Sequence, residues 1–171
     1  MPDLASLLAA NRAAVDDLLA AAEHSGHAWT TPRAAGKWAP AQVVEHVARS
    51  LEEGANVVAG KPSKLPSLPG FVRPVAGWFL RRVVRTGNFP KAKTNRPMNP
   101  AASTPSVPAT PADARARLHA AFATFERECR ARVAAGRPVE SPAFGVVSVE
   151  DYARFTELHT RHHTKQIPIA L

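Results

Sequence analysis

The chain has 171 residues, 45% of them hydrophobic and 21% charged, which suits one domain over residues 1–171 and excludes a wholly disordered chain. No apolar run approaches the roughly 18 residues of a membrane span, and the one cysteine, Cys129, excludes an internal disulfide. Lys and Arg number 22 against 14 Asp and Glu, for a net charge of +8; acidic residues interleave with the basic ones except between Arg73 and Arg96, so nucleic acid is disfavoured as a partner.

Taken in chain order, residues 3–24 read as a first helix, because Leu4, Leu8, Asn11, Val15, Leu18 and Ala22 recur at steps of three and four. A second starts at Pro40, whose missing N–H costs nothing in a first turn, and carries the stripe Val43, Val44, Val47, Leu51 and Val58 before Gly60 and Pro62. A third opens with Thr110 as cap, Pro111 in the first turn and Asp113 three residues after the cap. Its stripe is Leu118, Phe122, Phe125, Cys129 and Val133, ending at Gly136 and Pro138. The fourth opens at Ser148, with Glu150 and Asp151 at the positive end of the helix dipole, and runs to about Gln166.

Strand signals are scarce, with only Val146 and Val147 in a short apolar stretch. The expected fold class is therefore all-α, a four-helix bundle with a long irregular crossover between helices two and three. Within the crossover, Phe71, Val75, Trp78, Phe79 and Val83 suggest a short helix, although Leu80 and Val84 place apolar groups on its other face. Residues 86–110 are rich in Pro, Asn and Ser, without periodicity. A stretch that long is often functional, and equally serves as a surface crossover or packs on a second subunit.

The fourth helix places Tyr152, Phe155, His159, His162, His163 and Gln166 on its core face, with Glu150, Arg154, Glu157 and Arg161 opposite. Three imidazoles stand where Leu and Val are usual, and buried polar groups need partners. A metal ion satisfies several imidazoles together. His159 and His163, four residues apart, share a face and can converge on one ion; H-T-R-H-H lacks the glutamate of the metalloprotease helix that uses this interval. A third ligand must come from elsewhere. His46, on the edge of the second helix's stripe, is the best placed, although a lone histidine there also reads as a satisfied core residue. His24 and His27 fall in a loop, and His119 lies off the centre of its stripe.

The segment G-K-W-A-P-A-Q-V-V-E-H-V at residues 36–47 resembles the entry to the second helix of DinB-like proteins. The stretches F-G-V-V-S-V-E-D-Y at 144–152 and L-H-T-R-H-H-T-K-Q at 158–166 are similar to that family's last helix, with Tyr152 where relatives often carry Trp. The resemblance implies a four-helix bundle, often dimeric, holding a divalent ion on three histidines, whose matching positions are His46, His159 and His163. Nickel or zinc are the metals it most favours. The resemblance also implies, from some related branches, transfer of low-molecular-weight thiols or isomerisation of small acids with a thiol cofactor.

Three imidazoles leave an ion at least one open position, the pattern of a catalytic rather than a closed structural site, where water or a thiol can become a nucleophile. His162, Gln166 and Asn11 are candidates to orient ligands or relay protons, with a core hydrogen bond the plainer role for each. Cys129 reads as packing, Glu45 as solvated, and Trp38 and Trp78 as core anchors or pocket walls. The basic block is either a solvated surface or a holder of an anion. The expectation is a cytoplasmic, divalent-metal-dependent enzyme on a small molecule, a thiol S-transferase in its most specific form, and a homodimer, with no membrane partner. A non-catalytic metal- or ligand-binding bundle is the alternative. The cytoplasm is expected because no basic region leads into an apolar block near Met1.

Overall fold

In the computed structural model the described residues are 3–89, 94–101 and 107–167. Helix α1 spans Leu4–Glu23 and is capped by the Asp3 carboxylate, which accepts from the Ser6 N–H at 2.7 Å. Helix α2 spans Pro40–Ala59. The Gln42 side chain takes up the Ala39 N–H at its start, and Gly60 ends it in the left-handed region at φ 74°.

Helix α3 covers Arg73–Thr86, and α4 covers Pro111–Ala134. The Thr110 hydroxyl accepts from the Asp113 N–H while the Asp113 carboxylate accepts from the Thr110 N–H, the reciprocal cap the sequence announces. Helix α5, Val149–Thr164, starts where the Ser148 hydroxyl accepts from the Asp151 N–H.

Helix α2 packs along α4 and α1 along α5, with α1 also touching α4. Their shared core is built on Leu8, Val15, Leu18, Val44, Val47, Leu51, Leu118, Phe122 and Phe125, all buried. The stripes expected of α1 and α2 face inward, apart from a half-buried Leu4; that of α4 holds as far as Cys129, and Val133 is exposed.

The fold is mostly helical, as expected, and two features stand beside the four long helices. Among the described residues there are five α-helices, because the crossover contains α3. There is also a two-stranded antiparallel sheet, β1 at Val139–Ser141 and β2 at Gly145–Val147, where Val139 pairs with Val147. The Ser141 hydroxyl accepts from the Ala143 and Phe144 N–H groups and closes the hairpin.

Of the apolar stripe read for α3 only Val83 is buried, and Leu80, read on the other face, is buried with it. Gly77, Leu80 and Val83 point inward, whereas Phe71, Val75, Trp78 and Phe79 are exposed. Gly77 explains the choice of face, since a Cβ there would stand 2.7 Å from the Phe144 carbonyl oxygen. Only a glycine lets α3 lie that close to the hairpin.

Two carboxylates expected on solvated faces are buried instead. Glu45 is held by Arg49 at 2.7 Å and Arg117 at 3.3 Å. Glu157 pairs with Arg154 and Arg161 of its own helix, and Arg161 continues to Asp17 of α1 at 2.9 Å. In each case flanking guanidiniums replace water as the partner of the buried charge.

Candidate metal centre

The chain path brings one turn of α2 against the last two turns of α5, and three imidazoles meet there. His159 Nε2 stands 3.4 Å from His46 Nε2 and 3.1 Å from His163 Nε2. One ring nitrogen from each of the three lies within 4.8 Å of the other two. His46 and His163 are buried and His159 is half-buried.

The far side of each outer ring fixes its proton. His46 Nδ1 lies 2.8 Å from the Met98 carbonyl oxygen, which can only accept, so Nδ1 carries the hydrogen and Nε2 presents a lone pair. His163 Nδ1 lies 3.0 Å from Gln166 Oε1 and donates to it in the same way. The other end of that amide, Gln166 Nε2, donates to His162 Nε2 at 3.1 Å. Two lone pairs are thus turned on His159 Nε2, which carries one proton at most and cannot satisfy both.

Burial reinforces this neutrality. Removal from water pushes the His46 pKa down, with Arg49 and His162 adding repulsion. Burial, then His163 and His46, hold His159 well below its usual range. His163 is pushed down to about 3, mostly by burial and then by His46. All three rings are neutral at pH 7, the form that ligates metal.

The donor set fits a divalent ion. Zn–N bonds are about 2.0–2.1 Å, so two nitrogens at a tetrahedral angle on one ion stand about 3.4 Å apart, and the observed separations are 3.1 and 3.4 Å. Imidazole also suits nickel, copper and iron, so the ligands alone do not choose among these metals.

The cluster forms the polar floor of a cavity of about 750 Å³. Trp38 lies against His46 with ring centroids 4.8 Å apart, and Phe89 lies 5.3 Å from His159 and 5.2 Å from His162. Arg33, Lys37 and Lys165 also line the space, and none of the described lining residues is a carboxylate.

A family model described as the DinB superfamily matches residues 7–167. The chain belongs to the DinB superfamily. No curated protein and no solved structure matches it significantly.

Of the residues singled out in the sequence, His46, His159, His163, His162 and Gln166 come together in this DinB-superfamily chain. Asn11 does not join them. Its amide donates to the Leu7 and Ala153 carbonyls, each at 2.9 Å, and ties α1 to α5. His24 bonds the Ala20 carbonyl and His119 reaches Asp16, so neither belongs to the cluster. Cys129 is fully buried, and burial pushes its thiol up to about 12, so it stays protonated as packing.

The sequence reading missed Phe89 and Met98. Gly87, left-handed at φ 70°, turns the chain after α3, and Phe89 follows two residues later; a glycine followed by an aromatic beyond a helix end was its only signal. Met98 acts through its carbonyl, which no side-chain pattern reports. It sits in a short 3₁₀ turn, Arg96–Met98, so part of the irregular 86–110 stretch supports the site. Residues 90–93 and 102–106 of that stretch lie outside the described residues.

Proposed function

We propose that this chain is a divalent-metal-dependent enzyme acting on a small molecule, with His46, His159 and His163 as the metal ligands. The observation that carries this reading is the convergence of three neutral imidazole nitrogens at the floor of a cavity, two of them fixed by acceptors behind the rings. A bound ion would supply Lewis acidity and lower the pKa of a water or thiol in its open position. The chain's own residues do the rest. Met98 and Gln166 hold the ligand rings, Trp38 and Phe89 shape an apolar wall that limits water, and His162, hydrogen-bonded to Gln166, is placed to relay a proton.

No carboxylate lines the described cavity, so the base for such a reaction is an imidazole or the metal-activated group itself. The finer reading is transfer of a low-molecular-weight thiol to a small electrophile, on nickel or zinc, by a cytoplasmic homodimer. In it α1, α2, α4 and α5 form the four-helix bundle and α3 is an addition to it.

The test is elemental analysis of untagged protein beside His159→Ala. Near-stoichiometric divalent metal in the parent is expected, with affinity falling by more than about 100-fold in the variant, beyond the 10–100-fold that ring-orienting partners contribute. Metal-dependent consumption of an electrophile with added thiol then separates the enzyme from a non-catalytic metal-binding bundle. No metal after reconstitution with nickel, zinc or manganese overturns both.

A further inference from the structure

Six large hydrophobic residues are exposed among the described residues; four lie on α3 and the strand packed beside it, and a fifth, Phe71, lies in the turn that leads into α3. They are Phe71, Val75, Trp78 and Phe79, with Val146 on β2. At 100° per residue, Val75, Trp78 and Arg82 fall on one line of the helix, flanked by Phe79 on one side and by Arg81 and Arg85 on the other, with Phe71 in the turn just before it. The inward face is Gly77, Leu80 and Val83. Helix α3 therefore shows solvent an apolar, aromatic N-terminal half and a cationic C-terminal half.

Charge selects the occupant of this surface. Arg81, Arg82 and Arg85 are exposed and make no ion pair among the described residues. The flanking sequence adds no carboxylate, since residues 54–112 contain nine Lys and Arg and no Asp or Glu; the nearest acid on this side is the exposed Glu140, paired with Val146 across the hairpin. A second copy docking by two-fold symmetry would gather six arginines, three from each α3, in one contact with no Asp or Glu on either helix to offset them. A surface that is apolar just beneath a negative layer meets both halves at once. Aromatic rings enter at the headgroup boundary, and arginine stems lie along apolar groups with their heads on lipid phosphates.

We propose that the outer face of α3 and the turn before it dock the protein on an anionic lipid surface, with Phe71, Val75, Trp78 and Phe79 entering the interface and Arg81, Arg82 and Arg85 binding headgroups. This is peripheral attachment. It departs from the expectation of no membrane partner, which rested on the lack of a spanning segment. It is independent of the metal site, although Gly87 and Phe89 lead directly from this helix to the cavity wall.

The test is co-sedimentation with vesicles of phosphatidylcholine alone and of phosphatidylcholine mixed with phosphatidylglycerol, on the full chain and two variants. Binding to the mixed vesicles is expected to exceed that to phosphatidylcholine by about 10-fold or more and to weaken with salt. R81E/R82E/R85E removes the preference, and Trp78→Ser/Phe79→Ser lowers binding to both vesicles, each with unchanged helicity by circular dichroism. A blue shift of tryptophan emission on the mixed vesicles, absent in the Trp78 variant, places that side chain in the interface. Absence of lipid preference, or variants that bind as the parent does, overturns the proposal. So does a concentration-dependent dimer lost in Trp78→Ser/Phe79→Ser without vesicle binding, which assigns the face to a second copy. Salt-sensitive binding of an oligonucleotide through the same arginines, without vesicle binding, assigns it to nucleic acid.

Discussion

Helix α5 buries two polar clusters within two turns. Glu157 lies next to α1 and is matched by charges of its own neighbourhood, Arg154 and Arg161, the latter passing on to Asp17. His159 and His163 face the cavity and meet His46, and there neutral rings turn lone pairs toward one another. The first cluster is complete as it stands, with donors and acceptors in balance. The second has acceptors in excess, and only a proton or a cation resolves it. Burial of polar groups alone therefore does not mark a functional site; the sign of the imbalance does.

Acid separates the two clusters by the largest expected effect. An exposed histidine in the unfolded chain titrates near 6.5, whereas His163 in the fold is pushed down to about 3 and His46 and His159 are lowered too. Above pH 6.5 both states are neutral and the stability is whole. As the pH falls below that value the unfolded chain takes up protons first, so stability is lost progressively toward pH 3. Between pH 6.5 and 4.5 His163 alone accounts for a loss on the order of 2–3 kcal/mol. Urea unfolding of metal-free protein over this range checks it, and His163→Gln should flatten the profile. Added metal should shift the loss to lower pH, because ligand and proton compete for the same nitrogens.

Breaking the balanced cluster comes next. Glu157→Gln keeps the shape and removes the charge, leaving Arg154 and Arg161 to solvent, to which their side chains are 37% and 40% open. The cost is about 2 kcal/mol, below the 3–5 kcal/mol of a fully buried pair, because those guanidiniums are partly hydrated. Metal affinity should not change. A parallel loss of metal in the same protein would show that the two clusters are coupled along the helix.

Much of this was legible in the sequence, and the reason is chemical. Capping residues such as Thr110 and Ser148 and stripes such as Val43, Val44, Val47 and Leu51 encode helix ends and faces within a few residues, so the four long helices were readable. His159 and His163 were readable because one helical period brings them together. His46 needed more, since nothing local says which turn of α2 meets α5, and the family resemblance supplied that. Glu157 was misread because a wheel assigns one outward face, whereas α5 is enclosed on most sides. The face of α3 was misread because Gly77, a residue with no hydropathy to offer, decided it. The Met98 carbonyl carries no side-chain signature at all.

The finest distinction concerns how the histidine cluster is held. Gln166 accepts from His163 Nδ1 and donates to His162 Nε2, so it acts by orientation and touches no other ring of the triad. In Gln166→Leu the His163 ring loses the acceptor that keeps its proton on Nδ1, and metal affinity should fall about 10-fold. Stability should fall by about 1 kcal/mol, the low end of the range for a buried donor left without its acceptor, because His163 Nδ1–H is orphaned while the half-buried Gln166 and His162 positions admit water. Gln166→Glu separates orientation from packing. A carboxylate accepts more strongly from Nδ1 and raises the basicity of Nε2, so metal should bind at least as tightly as in the parent, although the donor to His162 is gone. Isothermal titration with zinc on the three proteins reads the order directly. If leucine and glutamate weaken binding equally, Gln166 serves His162 and not the ligand ring.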